Sequence, residues 1–220
     1  IASGLGDLIV CLPVLQALIA KGAPVYLIQR DITQSGLEPR ITGLAGAIKE
    51  PDFAPQSLKG EEKYINLREH PLQTDFIWGS EEFERKYPGY KITDVLKGIC
   101  RDWLIDADFD NLKPLPSERV ELPDKNNTVC LIPGASGQVK FWPTDFWLSL
   151  SKSLQERNLH PLVIGQPDKC VAVKSLLALG LEHIATPSLI NALDVISSAR
   201  AVVAVDTGLM HLAVHQRIPT

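Results

Sequence analysis

The sequence predicts an α/β fold of parallel sheets, and three observations carry that prediction. The second half alternates short β-branched runs with helical stretches in four successive rounds, the pattern of a parallel, doubly wound sheet. The first half opens on a glycine-rich turn, Ser3-Gly4-Leu5-Gly6-Asp7, that feeds an apolar helix and then a further strand. Near the end, AVVAVDTGLMHLA at 201–213 turns abruptly from strand to helix.

That last stretch organises the chain. Five small or β-branched apolar residues at 201–205 read as a strand buried on both faces. Asp206, Thr207 and Gly208 then open a helix, leaving amides of Thr207, Gly208 and Leu209 unpaired at its N-terminus, and Gly208 allows a ligand to come close. Such a turn is an anion site. The competing reading has Asp206 or Thr207 acting only as a helix cap and His211 as a satisfied polar residue.

Composition narrows the function. With 220 residues and 45 % hydrophobic content, the chain reads as globular, with one large or two small domains. A net charge of −4 supplies no basic field, so nucleic acid is not expected as a partner. Cys11, Cys100, Cys130 and Cys170 show neither CxxC nor Cys/His ligand spacing and read as free buried thiols in a reducing compartment. No segment is long and apolar enough to span a membrane. Ile1 stands directly before a turn that normally follows a strand, and Thr220 stands where another strand should begin, so a fragment missing both ends is expected.

In chain order, the first helix is expected over 8–20, with Leu15, Leu18 and Ile19 on one face and Pro13 either kinking it or marking its first turn. Gly4 and Gly6 are similar to the start of a dinucleotide fingerprint, but Ile9 replaces the third glycine. Asp31, after a strand at 25–29, would be the ribose-binding acid of that reading. Asp7 would repel a pyrophosphate on this helix end and suits a base or a cap better. A helix is expected over 41–48 and a short strand over 64–67. Arg68, Glu69 and His70 end that strand, either meeting a second substrate or forming a solvated loop. Ile92, Val95, Leu96 and Ile99 have the spacing of an amphipathic helix ending near Trp103.

Residues 106–124 hold Pro114, Pro116 and Pro123 with little apolar periodicity and read as a linker between domains at 1–105 and 125–220. Asp106, Asp108 and Asp110 alternate like a cation loop. Asn111 and Ser117, however, stand where a calcium loop needs glycine and glutamate, so no metal site is expected.

In the second half, strands are expected over 128–132, 162–164 and 183–185, and helices over 145–157, 169–179 and 189–198. The loop Pro133-Gly134-Ala135-Ser136-Gly137-Gln138-Val139-Lys140 follows the first of these strands and closes on Phe141-Trp142-Pro143, before a helix capped by Thr144. It faces the same sheet edge as Asp206 to Gly208. The Ser136 hydroxyl, loop amides and the Lys140 ammonium together suit a diphosphate, whereas alone Lys140 would be a surface lysine.

Three blocks carry a family resemblance: Gly4-Leu5-Gly6-Asp7 with Cys11-Leu12-Pro13-Val14-Leu15; Pro133-Gly134-Ala135-Ser136 with Lys140-Phe141-Trp142-Pro143; and Asp206 to Ala213. In this order and spacing the chain resembles the heptosyltransferase-like glycosyltransferases of family nine, which act in bacterial lipopolysaccharide core assembly. The resemblance implies a GT-B architecture, two Rossmann-like domains with parallel sheets facing across a cleft, acceptor on the first and nucleotide sugar on the second. It implies inverting, metal-independent transfer of a heptose or related sugar from ADP-heptose, or another nucleotide sugar, to a hydroxyl of a glycan or glycolipid acceptor. No cofactor is then needed beyond the donor substrate. On this pattern Asp7 matches the general base, Ser136 and Lys140 match holders of the donor diphosphate, and Asp206, Thr207, Gly208, Leu209 and His211 match the turn that cradles the donor. Gly6, Arg68 and His70 are acceptor-side candidates. The implied location is cytoplasmic, with peripheral association at the inner membrane through the acceptor.

The chemistry agrees with these roles. A sugar hydroxyl is a poor nucleophile that a carboxylate can activate, and a departing ADP gathers charge that helix amides and a lysine can stabilise. The sequence also departs from the family. After strand 162–164 the family often has a glutamate that meets the nucleoside, whereas this chain has Gly165-Gln166-Pro167-Asp168, with Asp168 as the substitute. Two rivals remain: an NAD(P)-dependent oxidoreductase using Gly4, Gly6 and Asp31, and a non-catalytic sugar-nucleotide-binding relative.

Overall fold

The computed structural model describes residues 4–29, 36–60, 63–74, 80–124, 126–135 and 137–220. The chain divides into two compact units, one of Ile1–Glu38 and Gly43–Leu112, the other of Pro39–Thr42 and Lys113–Thr220.

The first unit begins with helix α1 (Leu5–Ala20), which buries Leu8, Ile9, Leu12 and Val14. Leu15, Leu18 and Ile19, expected as its packed face, are only partly buried. The helix runs on through Pro13, whose missing N–H removes the helical donor to the Ile9 carbonyl. Strand β1 (Val25–Gln29) pairs in parallel with β2 (Leu44–Lys49).

Strand β2 replaces the helix expected over 41–48. Ile41, Leu44 and Ile48 have helical spacing, but Gly43 sits at φ +84°, a left-handed value that breaks a helix between the first two of them. A Cβ on Gly46 would lie 3.3 Å from the Tyr26 ring, so glycine lets that ring lie across the sheet. The strand expected over 64–67 does not form either. The chain there is irregular and ends in a 3₁₀ turn at Leu67–Glu69, whose Leu67 packs inward. Helices α2 (Pro71–Thr74), α3 (Glu81–Lys86) and α4 (Ile92–Asp102) complete the unit, with Phe83, Val95, Leu96 and Ile99 fully buried together. The amphipathic spacing of α4 is as the sequence predicts, and Trp103 is its C-cap.

The second unit opens with an extended segment after Lys113 and then alternates regularly. Its elements are β3 (Thr128–Ile132), α5 (Thr144–Gln155), β4 (His160–Gly165), α6 (Val171–Ala178), β5 (His183–Ala185), α7 (Leu189–Ser198), β6 (Ala201–Ala204) and α8 (Gly208–His215). The four strands lie in the order β5-β4-β3-β6, all parallel. Every residue of β3 is buried, which is why its apolar run is continuous rather than alternating. Val129 and Leu131 pack with Val163 of β4, Trp147 of α5, and Val173 and Leu176 of α6. Ser188 caps α7 by accepting from the Asn191 amide at 3.1 Å, whereas Thr144, expected as a cap, is the first residue of α5, after Pro143.

Side chains pin the extended segment down. Glu118 N–H donates to Asp194 Oδ1 at 2.7 Å and Val120 N–H to Ser198 Oγ at 2.9 Å. Pro39–Thr42 is held in the same unit by Arg40, which donates to Asp194 at 3.1 Å and to Glu118 at 3.0 Å. All four cysteines are free, and burial pushes the Cys11 and Cys130 thiols up to about 12. Among the described residues no helix is long and apolar enough to cross a membrane.

Candidate functional site

The strand order of the second unit reverses between β3 and β6. Chain connections leave β3 toward β4 on one side, and the last strand is added on the other, so β3 and β6 flank a topological switch point. Ligands of open α/β sheets bind just beyond the carboxyl ends of the strands at such a point. The register pairs Ile132 with Ala204, and Val205 N–H donates to the Ile132 carbonyl at 3.2 Å, so both strands deliver their following loops side by side.

Each loop contributes one charged group to this edge. After β3, a Cβ on Gly134 would fall 2.9 Å from Cys170 Sγ, so glycine lets the loop rest on the start of α6. The loop then tightens into a 3₁₀ turn at Gln138–Lys140. Lys140 Nζ donates to Asp206 Oδ2 at 2.5 Å, and Asp206 Oδ1 lies 3.7 Å from His211 Nε2. The Lys140 hydrogen bond holds the Asp206 carboxyl below the usual carboxylate range against the opposing effect of desolvation, with the Lys140 and His211 charges adding to the lowering. Lys140, Asp206 and His211 all remain partly open to solvent.

Helix α8 starts beside this trio. Thr207 is its N-cap but makes no side-chain capping hydrogen bond, and the Asp206 carboxylate is turned to Lys140 and His211 instead. Capping therefore does not explain either residue. The Thr207 carbonyl accepts from Met210 and His211, so the amides of Gly208 and Leu209 precede the first N–H that finds a helical acceptor and belong to the open helix end. Ser136, expected beside Lys140, lies outside the described residues. Asp168 is exposed in the turn after β4. In that turn Gln166 Nε2 donates to the carbonyls of Thr186 and Pro187, at 3.2 and 2.8 Å, tying together the loops that follow β4 and β5. No short-range pattern in the sequence marks Gln166 for this role, because its partners lie 20 and 21 residues on.

The remaining candidates lie in the first unit. Asp7 stands in the first turn of α1, where its Oδ2 accepts from the Gly4 N–H at 2.9 Å, with Gly6 beside it in the same turn. His70 is buried: its Nδ1 accepts from the Leu72 N–H at 3.2 Å, which leaves the proton on Nε2 to donate to Asp102 at 3.1 Å. Its ring meets Trp103 edge-on with centroids 5.2 Å apart. Leu72 of α2 and Asp102 of α4 thus account for both ring nitrogens. Arg68 lies in the 3₁₀ turn just before His70, with its side chain outside the described set, and Asp31 is likewise outside it. Asp108, in the alternating acidic run, accepts from the amides of Asp110 and Asn111 and closes a local turn. Among the described residues no group of three or more His, Cys, Asp or Glu side chains gathers where a metal ion could sit.

A parallel α/β unit with a lysine, a carboxylate and a helix N-terminus side by side at its switch point has the architecture of the nucleotide-binding class of α/β folds. The family model for glycosyltransferase family 9 (heptosyltransferase) matches residues 107–220, just over half of the 220, and the chain belongs to that family. Solved structures agree in fold over nearly the whole chain. The glycosyltransferase family 9 protein of Veillonella parvula has a TM-score of 0.67 at 14 % identity, covering 98 % of this chain and 77 % of its own. E. coli ADP-heptose lps heptosyltransferase II has a TM-score of 0.59 at 19 %, covering 98 % and 80 %. E. coli heptosyltransferase WaaC, solved with ADP-2-deoxy-2-fluoro heptose, has a TM-score of 0.58 at 18 %, covering 99 % and 85 %. No curated protein matches the chain in sequence. The fold class is thus α/β of the GT-B type and the chain is a glycosyltransferase, while the oxidoreductase reading gains no support.

Proposed function

We propose that this protein transfers a heptose, or a closely related sugar, from an ADP-linked donor to a hydroxyl of a lipopolysaccharide core or similar glycan acceptor, with inversion and without a metal. The observation that carries the reading is the meeting of Lys140 with Asp206 beside the first amides of α8, at the switch point of the nucleotide-binding kind of sheet. WaaC, similar in fold, is solved with ADP and with an ADP-heptose analogue, which supports an ADP-linked donor.

In this reading the donor diphosphate lies on the amides of Gly208 and Leu209, with Thr207 and His211 beside it. Lys140 and Ser136 take its oxygens, and Asp168 lies toward the nucleoside. As the glycosidic bond to phosphate breaks, negative charge builds on the departing diphosphate, and fixed amide dipoles with a mobile ammonium stabilise it. Asp7 takes the proton of the attacking hydroxyl. Gly6 and Arg68 belong to the acceptor side, with His70 acting there through packing. The enzyme works in the cytoplasm, reaching the inner membrane through its lipid-linked acceptor.

The test is ADP release by the full-length protein with ADP-heptose and a panel of core-oligosaccharide acceptors, intact and as Asp7→Asn, with ADP binding measured in parallel. Acceptor-dependent release that Asp7→Asn reduces at least about 100-fold, with ADP binding kept, is the expected result. ADP binding without turnover in either form would overturn the heptose donor or the core-oligosaccharide acceptor, and other sugar nucleotides come next.

A further inference from the structure

One group at the switch point opposes an anionic ligand. Asp206 places one carboxylate oxygen on Lys140 Nζ and the other 3.7 Å from His211 Nε2, so it engages both side chains that a phosphate there would use. It does so at the mouth of α8, where the helix dipole favours negative charge. The chain itself therefore supplies an anion at its own anion site. Lys140 is 41 % and Asp206 60 % exposed, so neither is locked by packing and the ammonium can swing from one acceptor to another.

We propose that Asp206 is an internal counter-ion that positions the Lys140 ammonium between turnovers and competes with the donor diphosphate for it. This rests on the donor-site reading above and adds one role to it: Asp206 acts on the donor through Lys140. When the diphosphate arrives, Lys140 passes from carboxylate to phosphate oxygen. When ADP must leave, the carboxylate reclaims the ammonium and weakens the hold on the product. No covalent bond changes in this exchange. An aspartate is ionised at neutral pH even at its ordinary 3.8, and Lys140 lowers this one further, so the competitor is present there.

An exposed ion pair biases an equilibrium by up to about fivefold, and repulsion between carboxylate and phosphate adds to that. Neutralising Asp206 is therefore expected to tighten ADP about three- to tenfold, the reverse of what loss of an ordinary ligand contact does. The experiment is calorimetric ADP binding to the full-length protein and to Asp206→Asn, Lys140→Ala and the double variant, with Asp206→Ser in parallel and melting curves for each. Expected are weaker binding for Lys140→Ala, tighter binding and slower ADP dissociation for Asp206→Asn, and no gain from Asp206→Asn once Lys140 is gone. If Asp206→Asn and Asp206→Ser leave ADP binding unchanged or weaken it while Lys140→Ala still weakens it, the counter-ion proposal fails and the donor site stands. If Lys140→Ala has no effect on ADP, the donor-site reading fails and the proposal falls with it.

Discussion

Leu115 and Gln216, 101 residues apart, form a closed pair: the Leu115 N–H donates to Gln216 Oε1 at 2.7 Å, and Gln216 Nε2 donates back to the Leu115 carbonyl at 2.9 Å. One side-chain amide thus supplies both hydrogen bonds that a neighbouring strand would have given. Leu115 lies between Pro114 and Pro116, neither of which can donate from its backbone, so its own peptide groups are the ones available there. Gln216 also donates to Ser197 Oγ at 3.0 Å. Gln216→Ala is expected to lower unfolding stability by about 3 kcal/mol, because it strands a buried donor and a buried acceptor. Gln216→Glu should cost nearly as much, since a carboxylate accepts from Leu115 N–H but cannot donate to its carbonyl. Urea titration of both variants measures this; a neutral Gln216→Glu would refute the two-way pairing.

His215, one residue earlier, is buried, and its Nε2 has no hydrogen-bond partner among the described residues. Burial pulls its pKa below the ordinary 6.5, only partly opposed by its hydrogen bond to the Lys113 backbone. The unfolded chain therefore binds a proton more readily than the folded one. This contribution to stability is fully present above about pH 6.5 and is lost as pH falls toward the depressed folded value. His215→Leu should flatten the stability profile between about pH 7 and 5 relative to the unaltered protein, as read from unfolding free energies across that range.

Gly134→Ala would bring a methyl group within 2.9 Å of Cys170 Sγ. The thiol must rotate or the loop must lift, at a cost of about 1 kcal/mol, with weaker nucleotide binding if the loop carrying Lys140 moves. Cys170→Ala should relieve the clash, so Gly134→Ala combined with Cys170→Ala is expected to recover both stability and binding. Additive losses in that double variant would show that Gly134 serves some other purpose.

Asp206 owes its lowered pKa first to the Lys140 hydrogen bond. In Lys140→Ala the carboxyl should titrate closer to the ordinary 3.8, followed by carboxyl NMR shifts. The depressed carboxyl contributes stability above its unfolded pKa and loses it as pH falls through the folded value. With both partners exposed, melting at neutral pH should shift by no more than about 1 kcal/mol equivalent.

The second unit was the more legible in sequence because β3 and β4 are buried on both faces and so appear as uninterrupted apolar runs, each bounded by polar turns. Lys140 and Asp206 could be paired in advance because parallel strands bring both loops to one edge. Around β2, Ile41, Leu44 and Ile48 imitate a helix, and only the backbone angle at Gly43 reveals the strand. The bonds of Gln166 and Gln216 leave no trace in the sequence, since a glutamine looks the same whether it faces solvent or spans 101 residues.

The excursion of Pro39–Thr42 into the second unit means that its physical boundary is not a single position along the chain. The family match starts at residue 107 and so omits Arg40, the guanidinium that faces Asp194 at 3.1 Å. A piece excised at that boundary would inherit a nearly buried carboxylate stripped of its counter-charge, although the Glu118 amide remains. Modular swaps among these transferases should therefore carry the four-residue loop along with the half it serves, or supply it as a separate peptide.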